Sequence, residues 1–288
     1  NWNCKTYTSF TQLINNPDIE LIIVATPTRY HYKMACKAAQ KGKHVVLEKP
    51  IVSNFKEALS LKTEFEKRKL ILAPFHNFRF SEDFLLIKSI LNKKKIGDIF
   101  LIKRNVGYFN HRDDWQSQKN QYGGIINAAA IHSIDQVLQL FDEDPIDIWS
   151  DVRKLISTGN APDHAKILFK FPNNCIVDIE VSWVQAFESQ SWMILGTKGA
   201  INQKNDQITL KYFRKRDIET IVPEKRSYYS NQKINWQFEN YNIHGGENAV
   251  FSEYYDQLAL AIRRRKNVPV TMDSAIRTLK LLQDIKNI

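Results

Sequence analysis

The sequence predicts an α/β fold in which a doubly wound parallel sheet is followed by a second, α+β domain with a large, mostly antiparallel open sheet. The first observation is an apolar run at 21–24, a helical pattern at 30–40 and a second apolar run at 44–47. A strand, a helix and a strand in such close succession are typical of a βαβ unit. The second observation is a change beyond Pro145, where short apolar segments alternate with turn residues, as in antiparallel sheets.

The elements of the first domain follow from local signals. Residues 5–7 are expected to form a short strand, and Ser9 is the expected N-cap of a helix. The turn at 15–18 leads into the strand at 21–24, and Gly42 ends the helix that follows it. Beyond the strand at 44–47, the sequence predicts a helix at 54–67 and a buried strand at 70–73.

In the second domain, a helix at 84–91 and a long strand at 99–108 precede a loop, and helical periodicity then runs from Ile126 to Leu138. The remaining elements are short strands and two closing helices. We expect the strands at 146–156, 165–171, 175–184, 191–195 and 207–213, a tight glycine turn within 195–201, and the helices at 247–264 and 274–285.

The composition is that of an ordinary globular protein, with 43% hydrophobic and 25% charged residues among 288. No window approaches 18 uninterrupted apolar residues, so we expect no transmembrane helix and no membrane partner. The net charge of +10 is spread over short runs near predicted helix ends, so we expect no nucleic-acid partner. Three cysteines without metal-ligand spacing favour a reducing compartment, and we expect a cytoplasmic protein.

The stretch at 21–50 reads LIIVATPTRYHYKMACKAAQKGKHVVLEKP and carries a family resemblance. It resembles the second half of the nucleotide-binding domain in the glucose-fructose oxidoreductase, inositol dehydrogenase and MocA family. Further similarities are NNPDIE before this stretch, the IGD turn at 96–98, GG and HSID between 123 and 135, and LGTKGAI at 195–201. The resemblance covers nearly the whole chain. It implies a Rossmann-type sheet and NAD or NADP as the cofactor.

No glycine precedes Leu21, so the Gly-rich turn that binds the pyrophosphate in dinucleotide-binding folds is not found there. In the family that turn lies upstream. We therefore expect an incomplete Rossmann-type sheet without its first strand, helix and strand; the alternative is a native chain that does not bind the pyrophosphate in the usual way. The expected organisation is a partial NAD(P)-binding domain at 1–76, a substrate-binding and oligomerisation domain at 77–270, and a C-terminal helix at 271–288 that packs back near the first domain.

Lys49 is the candidate catalytic base. Hydride transfer from a secondary alcohol needs a group that accepts the hydroxyl proton. Lys49 follows a strand at its carboxyl end, where ligands bind in open parallel sheets, and burial would lower its pKa. An arbitrary lysine after a strand is usually exposed, but the resemblance implies that the lysine of EKP is catalytic and that a cis bond precedes Pro50.

His132 is the second candidate catalytic residue. His132 and Asp135 are three residues apart on a predicted helix and so project from one face. The family has an aspartate, a histidine four residues later and a second aspartate at this helix; the last two match His132 and Asp135, whereas Ala128 replaces the first. A hydrogen-bonded core histidine is the alternative for His132.

By resemblance, the cofactor lies along the turns after the first two strands and the segment after the third. The predicted cofactor contacts are Ala25, Thr26, Pro27, Thr28, His31, Glu48, Lys49, Asn77 and Arg79, and the predicted substrate contacts are Tyr108, Asn127 and Asp135. His31 is equally compatible with a surface position in a first helical turn. No metal site is predicted, because the histidines show no metal-ligand spacing.

Two functions are compatible with these residues. The first is an NAD(P)-dependent oxidoreductase acting on the CH–OH group of a sugar, polyol or sugar derivative. The second, motivated by Ala128, is a non-catalytic relative that binds a ligand or partner. The strand at 176–183 does not alternate cleanly between apolar and polar residues, and relatives pair through this sheet, so we expect a homodimer or homotetramer.

Overall fold

The computed structural model contains two sheets of different kinds, and it describes residues 4–187, 189–218, 233–244, 247–264 and 266–287. The first sheet has three parallel strands in chain order. They are β1 (Leu21–Val24), β2 (His44–Leu47) and β3 (Leu72–Pro74). The helices associated with this sheet are α1 (Phe10–Asn15), α2 (His31–Gln40) and α3 (Phe55–Arg68).

The helices pack on the first sheet for reasons that the sequence shows. Helix α2 presents Ala35, Ala38 and Ala39, whose small side chains are fully buried and let the helix approach closely. Helix α3 begins at a cap in which the Asn54 side chain accepts a hydrogen bond from the Glu57 N–H. The first sheet therefore forms the βαβ arrangement that the apolar runs predict.

The second sheet has eight strands in the order β11-β10-β9-β8-β4-β7-β6-β5. Its neighbouring strands are antiparallel except for β4 and β7, which pair in parallel. The strands are β4 (Ile99–Gly107), β5 (Asp147–Arg153), β6 (His164–Lys170), β7 (Ile176–Ser182), β8 (Trp192–Gly196), β9 (Gly199–Lys204), β10 (Gln207–Tyr212) and β11 (Gln237–Asn242). The predicted fold class is thus confirmed.

Helices cover one face of this sheet. They include α4 (Glu82–Asn92) and α5 (Ile131–Leu138), and their buried residues join the inward residues of β6 and β7 in one core. Strand β7 alternates more cleanly than the sequence interpretation held. Val177, Ile179 and Val181 are buried, whereas Asp178 and Glu180 face the other way and pair with Lys166.

Several sequence expectations need correction. Residues 5–7 form no strand, because no neighbouring strand among the described residues pairs with them. The edge strand β11 was not predicted, since its polar sequence becomes a strand only through pairing with β10. The segment before α5 is a π-helix, Ile126–Ala130, although a continuous α-helix was expected there.

The last two helices are α6 (Glu247–Arg264) and α7 (Met272–Asn287). Helix α7 contributes Met272, Ile276 and Leu279 to the core under the first sheet. Further along, Leu282 and Ile285 belong to the core under the second sheet. One helix therefore ties the two cores together. Among the described helices, none combines the length and apolarity that crossing a membrane requires.

Candidate active site

The carboxyl ends of the first sheet bring the two predicted turns together. Val24 pairs with Leu47 across β1 and β2, so the turn at 25–28 lies beside the segment Glu48 to Pro50. On the other side, Leu47 pairs with Pro74, and the Phe75 N–H donates a hydrogen bond to the Leu47 carbonyl at 2.8 Å. This edge is where open parallel sheets bind ligands.

The buried His31 side chain connects the two turns. Its Nε2 lies 2.7 Å from the Thr26 carbonyl oxygen, and its Nδ1 lies 3.1 Å from that of Pro50. The side chain is only 1% exposed, so it is not the surface histidine that the sequence also allowed. Burial lowers the pKa of His31, although its backbone hydrogen bonds oppose that effect. The peptide bond between Lys49 and Pro50 is cis, as expected from the resemblance.

Lys49 occupies the centre of this edge. Its Nζ donates a hydrogen bond to the Ala128 carbonyl oxygen at 2.5 Å, which joins the first sheet to the helix of the second domain. Burial lowers the pKa of Lys49 to about 8, the neighbouring Glu48 opposes this, and the positive charge of Arg112 adds to it. Burial also raises the pKa of Glu48. The amine can therefore exchange a proton near neutral pH.

The carbonyl that receives Lys49 belongs to the π-helix. In the last turn of this π-helix, the Ile131 N–H donates a hydrogen bond to the carbonyl oxygen of Ile126, five residues earlier. Gly124 precedes it with φ of +95°, a conformation that other residues rarely adopt. Inserted π-turns are frequent at functional sites, where they redirect backbone groups. Here the turn coincides with the carbonyl that binds the candidate base.

His132 lies one turn further along, at the start of α5. Its ring packs on Phe78 with the ring centres 4.4 Å apart. Its Nδ1 is buried and has no hydrogen-bond partner among the described residues. Burial holds the pKa of His132 well below its usual value, and the positive charges of Lys49 and Arg104 lower it further. The imidazole is therefore neutral at physiological pH.

Asp135 is engaged by other protein groups. Arg79 donates to its two carboxylate oxygens at 2.7 and 2.6 Å, and the Thr278 hydroxyl donates at 2.9 Å. Arg79 also donates to the Ser274 hydroxyl. Burial alone would raise the pKa of Asp135, but the interaction with His76, the charge of Arg79 and these hydrogen bonds outweigh it, so the pKa is lowered. The predicted substrate contact Asp135 and the predicted cofactor contact Arg79 thus bind each other, and they link α5 to α7.

The other predicted contacts are dispersed. Asn77 is buried at the start of a 3-10 turn, and Asn127 is buried and donates from Nδ2 to the Tyr122 carbonyl at 2.8 Å. Tyr108 is half exposed just beyond the end of β4. A cavity of about 740 Å³ lies beside Asn127 and is lined also by Ser53, Lys119 and other residues, but not by Lys49, His76 or His132.

Sequence reasoning missed two buried polar residues near His132, namely His76 and Arg104. His76 follows β3 as Lys49 follows β2, and the register of the two strands could have indicated it. Arg104 on β4 packs its guanidinium over Trp192 at 4.6 Å, and its buried Nε has no partner among the described residues. No pattern in the sequence distinguishes Arg104 from a surface arginine. Within the described part of the chain, no group of three or more histidine, cysteine and acidic residues is placed to hold a metal ion.

Two family models match the chain. Residues 1–76 match the oxidoreductase family with the NAD-binding Rossmann fold, and residues 84–202 match the GFO/IDH/MocA C-terminal domain. Together they cover more than half of the sequence. The chain belongs to the GFO/IDH/MocA family. It is therefore a member of a family of NAD-binding oxidoreductases, and the predictions of the family and of NAD or NADP as cofactor are confirmed at that level.

Characterised and uncharacterised relatives are similar to this family member at low identity. The scyllo-inositol 2-dehydrogenase (NADP(+)) IolW of Bacillus subtilis is 26% identical over 282 residues, which cover 94% of this chain and 77% of that protein. The uncharacterized oxidoreductase YdgJ of Escherichia coli is 28% identical over 190 residues, or 65% of this chain. That match spans 54% of YdgJ, so the chain corresponds to about half the length of that relative.

The fold is shared with solved structures of other proteins. An NAD-binding protein from Listeria innocua superposes with a TM-score of 0.82 at 21% identity, covering 98% of this chain and 83% of that one. At that identity the likeness extends to the fold alone. The arrangement of two sheets therefore recurs in that protein.

Proposed function

We propose that this protein is an NAD(P)-dependent oxidoreductase that acts on a CH–OH group of a sugar, polyol or sugar derivative. The observation that carries the proposal is the buried amine of Lys49, with its pKa lowered to about 8, at the carboxyl edge of the first sheet. Neutral His132 lies within electrostatic reach of that amine. The similarity to scyllo-inositol 2-dehydrogenase supports the polyol as substrate class.

The chemistry divides between the residues as follows. The substrate C–H bond breaks with its electron pair leaving as hydride, the hydroxyl proton goes to the Lys49 amine, and a carbonyl product remains. His132 offers an uncharged imidazole that can hold the substrate hydroxyl by a hydrogen bond. A nicotinamide cofactor supplies the hydride acceptor when it is bound.

The residues at the sheet edge fit such a cofactor. The backbone of Ala25–Thr28 and the half-buried carboxyl of Glu48 flank Lys49 at the ends of adjacent parallel strands. Burial raises the pKa of Glu48, so this carboxyl can donate or accept a hydrogen bond to a ribose hydroxyl. His31 would act indirectly, by fixing the two turns through its bonds to Thr26 and Pro50.

Two measurements test the proposal on the intact protein. The first is the shift in unfolding temperature with NADH or NADPH, which binding to the folded state must produce by mass action. The second is a screen of inositols, aldoses and sugar acids for production of the reduced nicotinamide. We expect stabilisation by one cofactor, and turnover that Lys49→Met strongly lowers. Absence of any thermal shift with both cofactors, well above micromolar concentration, would overturn it.

A second candidate function is a non-catalytic ligand-binding protein. Ala128 provides no carboxylate at the position where the family resemblance expects one, and its carbonyl oxygen takes the Lys49 ammonium instead. The two functions differ in one outcome. A ligand-binding protein would be stabilised by a sugar or cofactor without consuming it, whereas the enzyme converts both.

We also propose that the protein forms a homodimer or homotetramer through the second sheet. Ser150 of β5 contacts α7 through its hydroxyl, so the neighbouring Trp149 points to the opposite face, and its side chain is 51% exposed. Phe238 of β11 is also largely exposed. A monomeric mass by light scattering at micromolar concentration would contradict this assembly. The cytoplasmic location inferred from the cysteines stays a prediction.

A further inference from the structure

His76 stands beside Lys49 because of strand register. Leu47 of β2 pairs with Pro74 of β3. Lys49 and His76 each follow two residues after these paired positions. Adjacent strands lie roughly 4.8 Å apart, so the two side chains leave the sheet edge as neighbours. His76 is only 2% exposed. A buried histidine therefore stands next to the candidate base, and the mechanism above gives it no role.

One side of the His76 ring faces a carboxylate that cannot move away. Its Nδ1 lies 3.5 Å from Oδ1 of Asp135 and makes no hydrogen bond to it in the described structure. Arg79 and Thr278 hold that carboxylate in place. A negative charge opposite Nδ1 favours the tautomer with the hydrogen on Nδ1, which leaves the lone pair on Nε2.

The ring is uncharged in this setting. Burial lowers the pKa of His76 to about 4; the charge of Asp135 on α5 opposes this, whereas Arg79 and Lys49 add to it. His132 is the other titratable group within reach, and it is neutral as well. His76 is thus a hydrogen-bond acceptor at Nε2 throughout the physiological range and not a proton carrier, since Lys49 with a pKa of about 8 would not protonate it.

A neutral amine has two hydrogens and one lone pair. The Ala128 carbonyl accepts from Lys49 Nζ in the structure, which accounts for one of them. We propose that His76 is a positioning residue for Lys49: in the reacting complex the His76 Nε2 accepts the second amine hydrogen, so that the amine lone pair is left for the substrate hydroxyl. This inference rests on the proposed role of Lys49 as base.

The arrangement also gives Asp135 a function without contact to substrate. It fixes the His76 tautomer, His76 orients the amine, and the amine meets the hydroxyl. A carboxylate at position 128 is then not needed to aim the lysine. Loss of His76 should misorient the amine in the reacting complex and leave ground-state binding intact, so kcat should fall while KM stays unchanged.

Three variants at one position separate positioning from packing. The amide oxygen of Gln in His76→Gln reaches the position of Nε2, whereas that of Asn in His76→Asn reaches only that of Nδ1, and His76→Leu has no acceptor. On a substrate found in the screen, we expect kcat within about threefold for Gln and lowered about 10–100-fold for Asn and Leu, with KM unchanged. Equal kcat values for the three variants would overturn the proposal. So would a decrease in kcat in all three variants that follows the decrease in their unfolding temperatures.

A spectroscopic measurement tests the geometry without any substrate. In protein labelled with ¹⁵N-histidine, the ring nitrogens of His76, assigned by its loss in His76→Gln, report tautomer and titration. We expect the Nδ1–H tautomer, and an upward shift of the His76 titration midpoint in Lys49→Met, because a neighbouring positive charge is removed. The Nε2–H tautomer, or a midpoint that Lys49→Met leaves unchanged, overturns the proposal. Because no turnover is needed, this outcome is distinct from failure of the proposed function.

Discussion

Two neighbouring groups of buried polar side chains meet at α5, and they differ in how completely their polar atoms are hydrogen-bonded. The Asp135 network consists of Arg79, Asp135, Ser274 and Thr278, and the oxygens of its carboxylate all have donors. The Lys49 cluster consists of Lys49, His76, Arg104 and His132, and three of its four side chains have a buried nitrogen without a partner in the described structure.

The difference indicates what each group contributes. A buried charge with complete hydrogen bonding fixes the geometry of the elements that carry it. Buried donors without partners, and a buried lysine whose pKa is lowered, reduce the free energy of unfolding. Proteins retain such costs mainly at functional sites. The Asp135 network therefore joins α5 to α7 structurally, and the Lys49 cluster is where chemistry is expected. Substitutions in each group test this separation.

Replacing the amine should have the largest effect on activity. Lys49→Met removes the proposed base, so turnover should fall by about 10²–10⁴-fold, with little change in cofactor affinity. Wild-type oxidation should rise with pH through about 8, because only the neutral amine accepts a proton. Steady-state rates across pH measure both. The unfolding temperature should not fall, since a buried charge is removed; near-normal turnover would refute the catalytic assignment.

Breaking the Asp135 network should have the largest effect on stability. Asp135→Asn leaves the Arg79 guanidinium, which is paired with that carboxylate, buried without a counter-charge, and loss of one partner of a buried pair costs about 3–5 kcal/mol. Urea unfolding measures this change. Asp273→Asn is the matched control, because its pair with Lys62 is exposed and screened by solvent, so its loss should change the free energy of unfolding far less. Equal losses in the two variants would contradict the structural role.

The two groups should also separate in acid. The pKa of His76 is about 4 in the folded protein and near 6.5 when unfolded, so the unfolded state binds the proton first and stability falls as the pH drops from about 6.5 to 4. This group alone contributes a loss on the order of 3 kcal/mol. The lowered pKa of Asp135 acts only below its usual value near 3.8. Chemical denaturation at several pH values measures the slope, which should be shallower in His76→Gln; an identical slope would exclude His76.

Adding the carboxylate that the family resemblance expects should have the smallest effect. Ala128→Asp places a negative charge near the Lys49 amine, so the pKa of Lys49 should rise and the midpoint of the pH–rate profile should move upward. Turnover above that midpoint should be unchanged or higher. Ala128→Asn has nearly the same shape without the charge and should leave the midpoint in place. A lower midpoint with Asp would show that position 128 does not face the amine.

The sequence by itself determined the fold class and the centre of the site. Unbroken apolar runs predicted β1 and β2 as strands, and the turn at 25–28 and the segment Glu48 to Pro50 follow at their carboxyl ends. In the structure β2 is largely buried, whereas Ile23 of β1 is 51% exposed. Lys49, Pro50 and His132 were identified in this way, because their spacing and resemblance are local properties of the chain.

Only the tertiary structure decided which polar groups meet. Asp135 and Arg79 lie 56 residues apart and were assigned separately to substrate and cofactor, yet they bind each other. His76 and Lys49 become neighbours through strand pairing, and Ala128 meets Lys49 through its backbone, which no side-chain pattern encodes. The physical reason is that periodicity specifies which face of an element is buried, whereas partner, distance and protonation depend on how separate elements pack together.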